Sequence, residues 1–222
     1  YKANAELMKL SQQTAINGLS SVPDEPLKRV PVTFGVINVW VYGMTTWGSL
    51  FSSRQKVALV KIGALLRGLS AKTHLCKLVL SMAIGKLSDF NSSIARWAPG
   101  REGSAATFGR QAIPMMWDYC ETTPISNSTG SILTAVEFLA NVTEKIGRGI
   151  ERVGQVQKND ACKSPLPDDV AGLWFTDPPY YDSVPYSYIS DFFYVWYRRI
   201  LGGYLPEWFK GDLTPKQNEI VA

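Results

Sequence analysis

Apolar residues recur along this chain with a helical period in five places and form shorter segments elsewhere. The helical spacing predicts helices over residues 3–17, 52–69, 74–87, 131–150 and 188–201. The second of these helices opens on a capping-box pattern, with Ser52 three residues before Gln55. The shorter segments predict strands over residues 32–41, 154–158 and 170–176. This order of elements predicts an α/β fold with a mainly helical insertion over residues 50–150.

The last predicted strand ends abruptly in an acid and two prolines. Its apolar run from Val170 to Phe175 has no charge, as expected for a buried strand of a parallel sheet. Because consecutive prolines cannot continue a sheet ladder, the chain must leave the sheet directly after Asp177. A carboxylate and a tyrosine, Asp177 and Tyr180, are therefore expected in the loop at the carboxyl end of a strand. Open α/β sheets bind their ligands at that edge.

The tetrad Asp177-Pro178-Pro179-Tyr180 resembles the catalytic motif of amino-group methyltransferases. These enzymes use S-adenosylmethionine to methylate adenine N6 or cytosine N4 in DNA. The resemblance implies that Asp177 and the Pro178 carbonyl each accept one N–H of the amino group, and so stabilise the positive charge that develops on its nitrogen. Pro178 and Pro179 hold a rigid shape that favours preorganisation. Tyr180 would stack on the target base after it is flipped out of the duplex.

Residues on either side of the tetrad extend this resemblance. A strand candidate ending in Asp160 and Ala161 precedes it, as in the middle of a Rossmann-like methyltransferase, where an acid after the preceding strand approaches the cofactor's adenine. Asp160, Ala161 and Asp177 are thus the candidate cofactor-binding residues, and a simple turn is the alternative for Asp160. In the loop after the tetrad, the candidates for contacts to the base are Tyr181, Asp182 and Tyr186, and the alternative for each is bracing the loop.

Two arginines earlier in the chain are candidates for substrate contacts. Arg96 lies beside Trp97 and Arg110 lies near Phe108. Guanidinium groups near aromatic rings can bind phosphates or stack on bases. The alternative is that they pack over aromatic rings in solvated loops.

Composition adds little to this picture. The chain has 222 residues, 45% of them hydrophobic and 19% charged, which is ordinary for a globular protein. A net charge of +4 is compatible with a nucleic-acid partner but too small to indicate one. With three scattered cysteines, no CxxC pair and one histidine, we expect no structural metal and a cytoplasmic location. No signal peptide or membrane-spanning run is present, so no membrane partner is expected.

A wider resemblance covers almost the whole chain. It is similar to the central to C-terminal part of a family of large DNA methylases of bacteria and archaea, assigned as adenine-specific, that carry an N-terminal domain of unknown function. The stretches that carry this resemblance are Pro23-Asp24-Glu25-Pro26, Tyr42-Gly43-Met44-Thr45, Leu50-Phe51-Ser52-Ser53-Arg54-Gln55, Asn91-Ser92-Ser93 with Arg96-Trp97, Thr107-Phe108-Gly109-Arg110-Gln111, and Thr176-Asp177-Pro178-Pro179-Tyr180-Tyr181-Asp182.

The resemblance implies a partial Rossmann-like methyltransferase sheet with a helical insertion, in which residues 1–222 are part of one domain and residues 151–222 form the catalytic strand-loop-helix segment. It also implies S-adenosylmethionine as cofactor, DNA as partner and adenine N6 as target. The family's glycine-rich cofactor turn is missing here, so we expect it upstream of Tyr1 and expect this chain alone to bind the cofactor weakly. The alternatives are a cytosine-N4 or RNA adenine methyltransferase, a nucleic-acid-binding module without catalysis, and a structural α/β domain.

Overall fold

The structure is a computed structural model in which the chain is mixed α/β and mostly helical. It describes residues 2–16, 18–29, 31, 35–70, 74–152, 154–157, 159–160, 162–180 and 183–217. The α-helices within these ranges are α1 (Lys2–Ser11), α2 (Ser53–Arg67), α3 (His74–Phe90), α4 (Ile132–Gly149) and α5 (Tyr186–Leu201). The strands there are β1 (Trp97–Ala98) and β2 (Gly103–Ser104), which pair antiparallel with Trp97 opposite Ser104. Short 3₁₀ turns cover Val39–Tyr42, Trp47–Leu50, Pro99–Arg101 and Pro206–Trp208.

The helical periodicity is confirmed for all five predicted helices, although α1 ends at Ser11, earlier than expected. The predicted capping box of α2 is present. The Ser52 backbone N–H donates to Gln55 Oε1 over 2.8 Å, and the Gln55 N–H donates to Ser52 Oγ over 3.3 Å. Helix α4 begins in a similar way, because Ser131 Oγ accepts the Thr134 N–H over 3.2 Å. These caps satisfy N–H groups that a helix leaves without intrahelical partners.

The core lies where α5 packs against α2 and α3. Phe192 and Trp196 of α5 are fully buried, and Phe51 packs against both rings, at centroid distances of 5.5 and 5.3 Å. Helices α3 and α5 approach closely at Gly85, where an added Cβ would lie 2.1 Å from the Tyr197 hydroxyl oxygen. The apolar stripe predicted for α5 is therefore core packing, and it fixes the helix that comes after the Asp-Pro-Pro-Tyr tetrad in the chain.

The strand predicted over residues 32–41 is wrong for the part that the structure describes. Residues 32–34 lie outside the described ranges, and the rest forms a turn and the Val39–Tyr42 3₁₀ turn. Gly35 and Gly43, both at φ +83°, bound this stretch. Val39 is buried in the core, and Trp40 Nε1 donates to the Ile37 carbonyl over 2.7 Å. Core packing and this local bond therefore override the β propensity of the valines.

The buried strand predicted over residues 170–176 is also wrong for this structure. That stretch has no regular secondary structure, and its large apolar side chains face solvent, with Leu173 84% and Phe175 89% exposed. The described part of the 154–158 candidate is likewise irregular, and Val156 is exposed. A parallel strand needs a neighbour to receive its hydrogen bonds. Among the described residues, the only sheet is the pair β1–β2, so no such neighbour is present.

A buried ion network ties α5 to the N-terminal segment. Arg199, only 3% exposed, donates from Nη1 to Glu25 Oε1 over 2.7 Å and from Nε to the Ser20 carbonyl over 2.7 Å. It also reaches the Val22 carbonyl and Asp24 Oδ1, both over 3.2 Å. These bonds hold residues 20–25 against the end of α5, and they make Arg199 part of the core.

Candidate functional site

The Asp-Pro-Pro-Tyr tetrad lies in an irregular stretch between α4 and α5. Asp177, Pro178, Pro179 and Tyr180 are all exposed to solvent. Within the described part of the chain, the Asp177 carboxylate has no recorded hydrogen bond or ion pair. None of the cavities described below is lined by these four residues. The acid is therefore accessible, but the described residues do not provide the enclosure that makes a carboxylate strongly preorganised for catalysis.

The residues around the tetrad are only partly brought together. The Asp160 carboxylate accepts the Cys162 N–H over 3.0 Å and lies 3.8 Å from Lys163 Nζ, which is the turn arrangement named as its alternative role. Tyr186 is the first residue of α5 and is half-buried. Ala161, Tyr181 and Asp182 lie outside the described residues. Cofactor binding by Asp160 and Ala161 remains a prediction, and none of the cavities described below is lined by Asp160.

The two candidate arginines lie together in one cavity, which we call the Arg96–Arg110 cavity. Its volume is about 340 Å³, and Ile94, Thr107, Gly109, Met115 and Met116 also line it. Both arginines are exposed, and none of the described lining residues carries a carboxylate. A Cβ built on Gly109 would lie 2.8 Å from Arg96 Nη2, so this guanidinium rests directly against the Gly109 backbone. A small cavity with two cations suits an anion such as a phosphate.

Backbone hydrogen bonds fix the Arg96 side of this cavity. Arg96 immediately precedes β1 and forms an isolated antiparallel bridge with Tyr119. Its carbonyl accepts the Ala105 N–H over 2.9 Å. The segments around Arg96 and Ala105 are therefore held together by the same backbone pairing that forms the β1–β2 sheet.

The other side of the cavity is anchored by Asp89, near the end of α3. Its carboxylate accepts the Phe108 N–H over 3.1 Å, and its carbonyl accepts the Thr107 N–H over 2.8 Å. Burial raises the pKa of Asp89, and the hydrogen bonds from Phe108 and Thr107 partly oppose that change. This anchor positions the turn that carries Gly109 and Arg110. The sequence contains the two arginines but does not show that they share a cavity.

A second cavity, of about 510 Å³, was not anticipated from the sequence. Its walls include Trp47, Tyr188, Asp191, Thr214 and Lys216. Asp191 is buried and accepts the Thr214 N–H over 2.9 Å, the Thr214 hydroxyl over 2.7 Å, and Lys216 Nζ over 2.9 Å. Burial raises the pKa of Asp191, against the lowering effect of Thr214 and Lys216. Because its oxygens are already engaged, Asp191 holds residues 214–216 in place.

Comparison with protein-family models, with curated proteins and with solved structures gives no match for this chain. The resemblance to adenine-specific methylases therefore stays a prediction that rests on the residues named above. Within the described ranges, no group of three or more His, Cys, Asp or Glu side chains could hold a metal ion. None of the described helices combines the length and hydropathy needed to cross a bilayer.

Proposed function

We propose that this chain carries the target-base side of an S-adenosylmethionine-dependent methyltransferase that acts on the N6 amino group of adenine in DNA. The observation that carries the proposal is the tetrad Asp177-Pro178-Pro179-Tyr180, which is accessible to solvent in the stretch that leads to α5. A flipped base can reach these residues without displacing any part of the described core. The buried ion network and the aromatic core hold the helix that follows.

The residue types suit an amino group that is a poor nucleophile. Its lone pair is delocalised into the ring, so the nitrogen must leave the ring plane before it can react. Asp177 accepts one N–H and the Pro178 carbonyl accepts the other, which favours that geometry and stabilises the developing positive charge. The proline N atoms carry no hydrogen, so no donor competes for these acceptors. Tyr180 offers an exposed ring on which the flipped base can stack.

The same proposal includes a Rossmann-like sheet that contains residues 170–176. Leu173, Trp174 and Phe175 are consecutive large apolar residues, and all three are exposed. Burying one such side chain contributes roughly 1.5–3 kcal/mol, so this arrangement leaves several kcal/mol of burial unrealised. We infer that residues 170–176 become a strand of a Rossmann-like sheet when partner strands pair with them. Asp177 would then lie at the carboxyl edge of that sheet, where such folds bind their ligands.

The test compares Asp177→Ala with Asp168→Ala in the protein encoded by the entire reading frame. Both acids are exposed in the same irregular stretch, so neither substitution should change the free energy of unfolding by more than about 0.5 kcal/mol. Labelled methyl transfer from S-adenosylmethionine to an adenine-containing DNA oligonucleotide should fall by about a hundredfold or more for Asp177→Ala. It should stay within about twofold of wild type for Asp168→Ala.

Equal methyl transfer by the two variants would overturn the proposed role of Asp177. If the wild type transfers no methyl group, the proposal that the protein is a methyltransferase is overturned. Two further substrates identify the acceptor group. One is a DNA oligonucleotide that contains cytosine but no adenine, and the other is an RNA with the sequence of the adenine-containing DNA. Transfer to either of these in place of adenine in DNA would overturn the assignment to adenine N6 in DNA.

A second candidate function is nucleic-acid binding without catalysis. The Arg96–Arg110 cavity favours it, because two guanidinium groups share a site whose described lining contains no carboxylate. DNA binding by a wild-type protein that transfers no methyl group would support this candidate over the first.

A further inference from the structure

Exposed aromatic rings lie on segments next to those that form the Arg96–Arg110 cavity. Trp117 is 76% exposed, and Trp97, Tyr119 and Tyr42 are each exposed over two-fifths or more of their surface. Single exposed apolar residues are ordinary, but several large rings close together on one surface indicate a binding site. The sequence places Trp97 beside Arg96 but does not show that Trp117, Tyr119 and Tyr42 belong with them.

Backbone pairing and sequence adjacency connect the rings to the arginines. Tyr119 is bridged to Arg96 through the backbone, and Trp97 is the next residue after Arg96. Trp117 follows Met116, which lines the cavity, and its ring meets Tyr42 edge-on at a centroid distance of 5.3 Å. We call the set of Arg96, Arg110, Trp97, Trp117 and Tyr119 the arginine–aromatic surface.

The charge of this surface is available for a ligand. Among the described residues, neither Arg96 nor Arg110 has a recorded ion pair. The neighbouring acid Glu121 is engaged elsewhere, because it accepts from Ser52 and pairs with Arg54 at 2.5 Å. Glu102 and Asp118 are exposed in the same part of the chain, but neither lines the cavity.

We propose that the arginine–aromatic surface binds single-stranded DNA, with a backbone phosphate in the Arg96–Arg110 cavity and bases stacked on the neighbouring rings. A duplex hides the faces of its bases, whereas a single strand presents them. Guanidinium groups bind phosphate oxygens in bidentate geometry. Cations interleaved with exposed aromatic rings are the combination that single-strand binding uses. The choice of DNA over RNA rests on the proposed function. The proposal that this surface binds a single strand does not depend on that function.

Gly109 is a positioning residue in this proposal. Its backbone lies against the Arg96 guanidinium, and a Cβ there would lie 2.8 Å from Nη2 and 3.1 Å from Cζ. Because the far end of Arg96 can move, Gly109→Ala should displace the guanidinium without unfolding the chain. This variant perturbs the phosphate contact while the charge of Arg96 is kept.

The test measures the fluorescence anisotropy of a labelled oligothymidylate of about 15 nucleotides with the 222-residue chain, without S-adenosylmethionine. Trp117→Ala should weaken binding by about tenfold, since stacking on one ring is lost. Between about 50 and 200 mM salt, Arg110→Met should reduce the slope of log K against log salt by about 0.7, the value expected for one phosphate contact to a single strand. Gly109→Ala should also weaken binding and should lower the same slope.

Matched controls lie on exposed positions elsewhere. Trp208→Ala removes an exposed tryptophan near the C-terminal end of the described chain, and Arg148→Met removes an exposed arginine at the end of α4. Both controls should bind the oligothymidylate as the wild type does. Circular dichroism should report an unchanged helix content for all five variants.

Several outcomes would overturn the proposal. These are no binding by the wild type, equal losses in the control variants, binding of a duplex as tightly as the single strand, and equal competition by poly-glutamate. Poly-glutamate competition would instead assign the surface to an acidic protein segment, which uses the cations but not the ring faces. Equal affinity for oligouridylate would overturn the choice of DNA. Because no methyl transfer is measured, failure here and failure of the proposed function are distinguishable.

Discussion

Replacing Arg199 by methionine removes the central cation of the buried network between α5 and residues 20–25. Arg199 is 3% exposed and Glu25 is 6% exposed, so water does not reach this pair freely. The substitution would leave Glu25 with Arg198 at 3.5 Å as its remaining recorded partner, while Glu25 Oε2 already lacks one among the described residues. The Ser20 and Val22 carbonyls would also lose their donor.

The expected cost follows from this arrangement. Removing one partner of a buried ion pair destabilises a protein by about 3–5 kcal/mol, because an uncompensated charge stays in the interior. For a chain of this size, 1 kcal/mol corresponds to roughly 2–4 °C in Tm, so Arg199→Met should lower Tm by about 10 °C. Arg148→Met is the matched control, since Arg148 pairs with Glu144 on the surface, where ion pairs contribute little.

The assay is urea unfolding followed by circular dichroism, for Arg199→Met, Glu25→Gln and the double variant. If the two groups interact as the structure indicates, the double variant should be more stable than the sum of the single losses predicts, by about 1.5 kcal/mol or more. A loss below about 1 kcal/mol for Arg199→Met, or strictly additive losses, would refute the reasoning.

Three further predictions concern the turns and the second cavity. Gly48→Ala should destabilise the fold by about 1–3 kcal/mol in urea unfolding, because its Cβ would lie 2.3 Å from the Pro23 carbonyl oxygen, and no measurable change would contradict this. Ser52→Ala should cost about 1 kcal/mol by the same measurement, since Gln55 loses its capping acceptor, and Ser52→Thr should retain most of that energy. Burial raises the pKa of Asp191, so its folded carboxyl holds a proton more tightly than the unfolded one does. The wild type should therefore lose stability relative to Asp191→Asn as pH rises from about 3.9 through the raised pKa. If urea unfolding at several pH values gives a constant difference in the free energy of unfolding between the two proteins, the prediction is wrong.

The amino-acid sequence by itself determined the helices. The stripes of α2, α3, α4 and α5 repeat at helical spacing, and the Ser52–Gln55 pair marks the start of α2. Helical hydrogen bonds and caps join residues that are close in sequence, so a local pattern contains the information needed to predict them. The three helices predicted within residues 50–150 are found there for that reason.

The tertiary structure alone decided the strands. The apolar run before Asp177 has the composition of a buried strand, yet Leu173 and Phe175 are exposed in the described structure. A strand exists only when a distant segment supplies its hydrogen bonds, and a one-dimensional pattern cannot state whether that partner is present.

Burial and proximity of charged residues were decided in the same way. Arg199 reads as an ordinary cation in the last turn of a helix, but packing of residues 20–25 against α5 places it in the interior. Arg96 and Arg110 are 14 positions apart in the printed sequence, and the Asp89 anchor and the Arg96–Tyr119 bridge bring them into one cavity. Such contacts join segments far apart in sequence, so only the folded chain defines them.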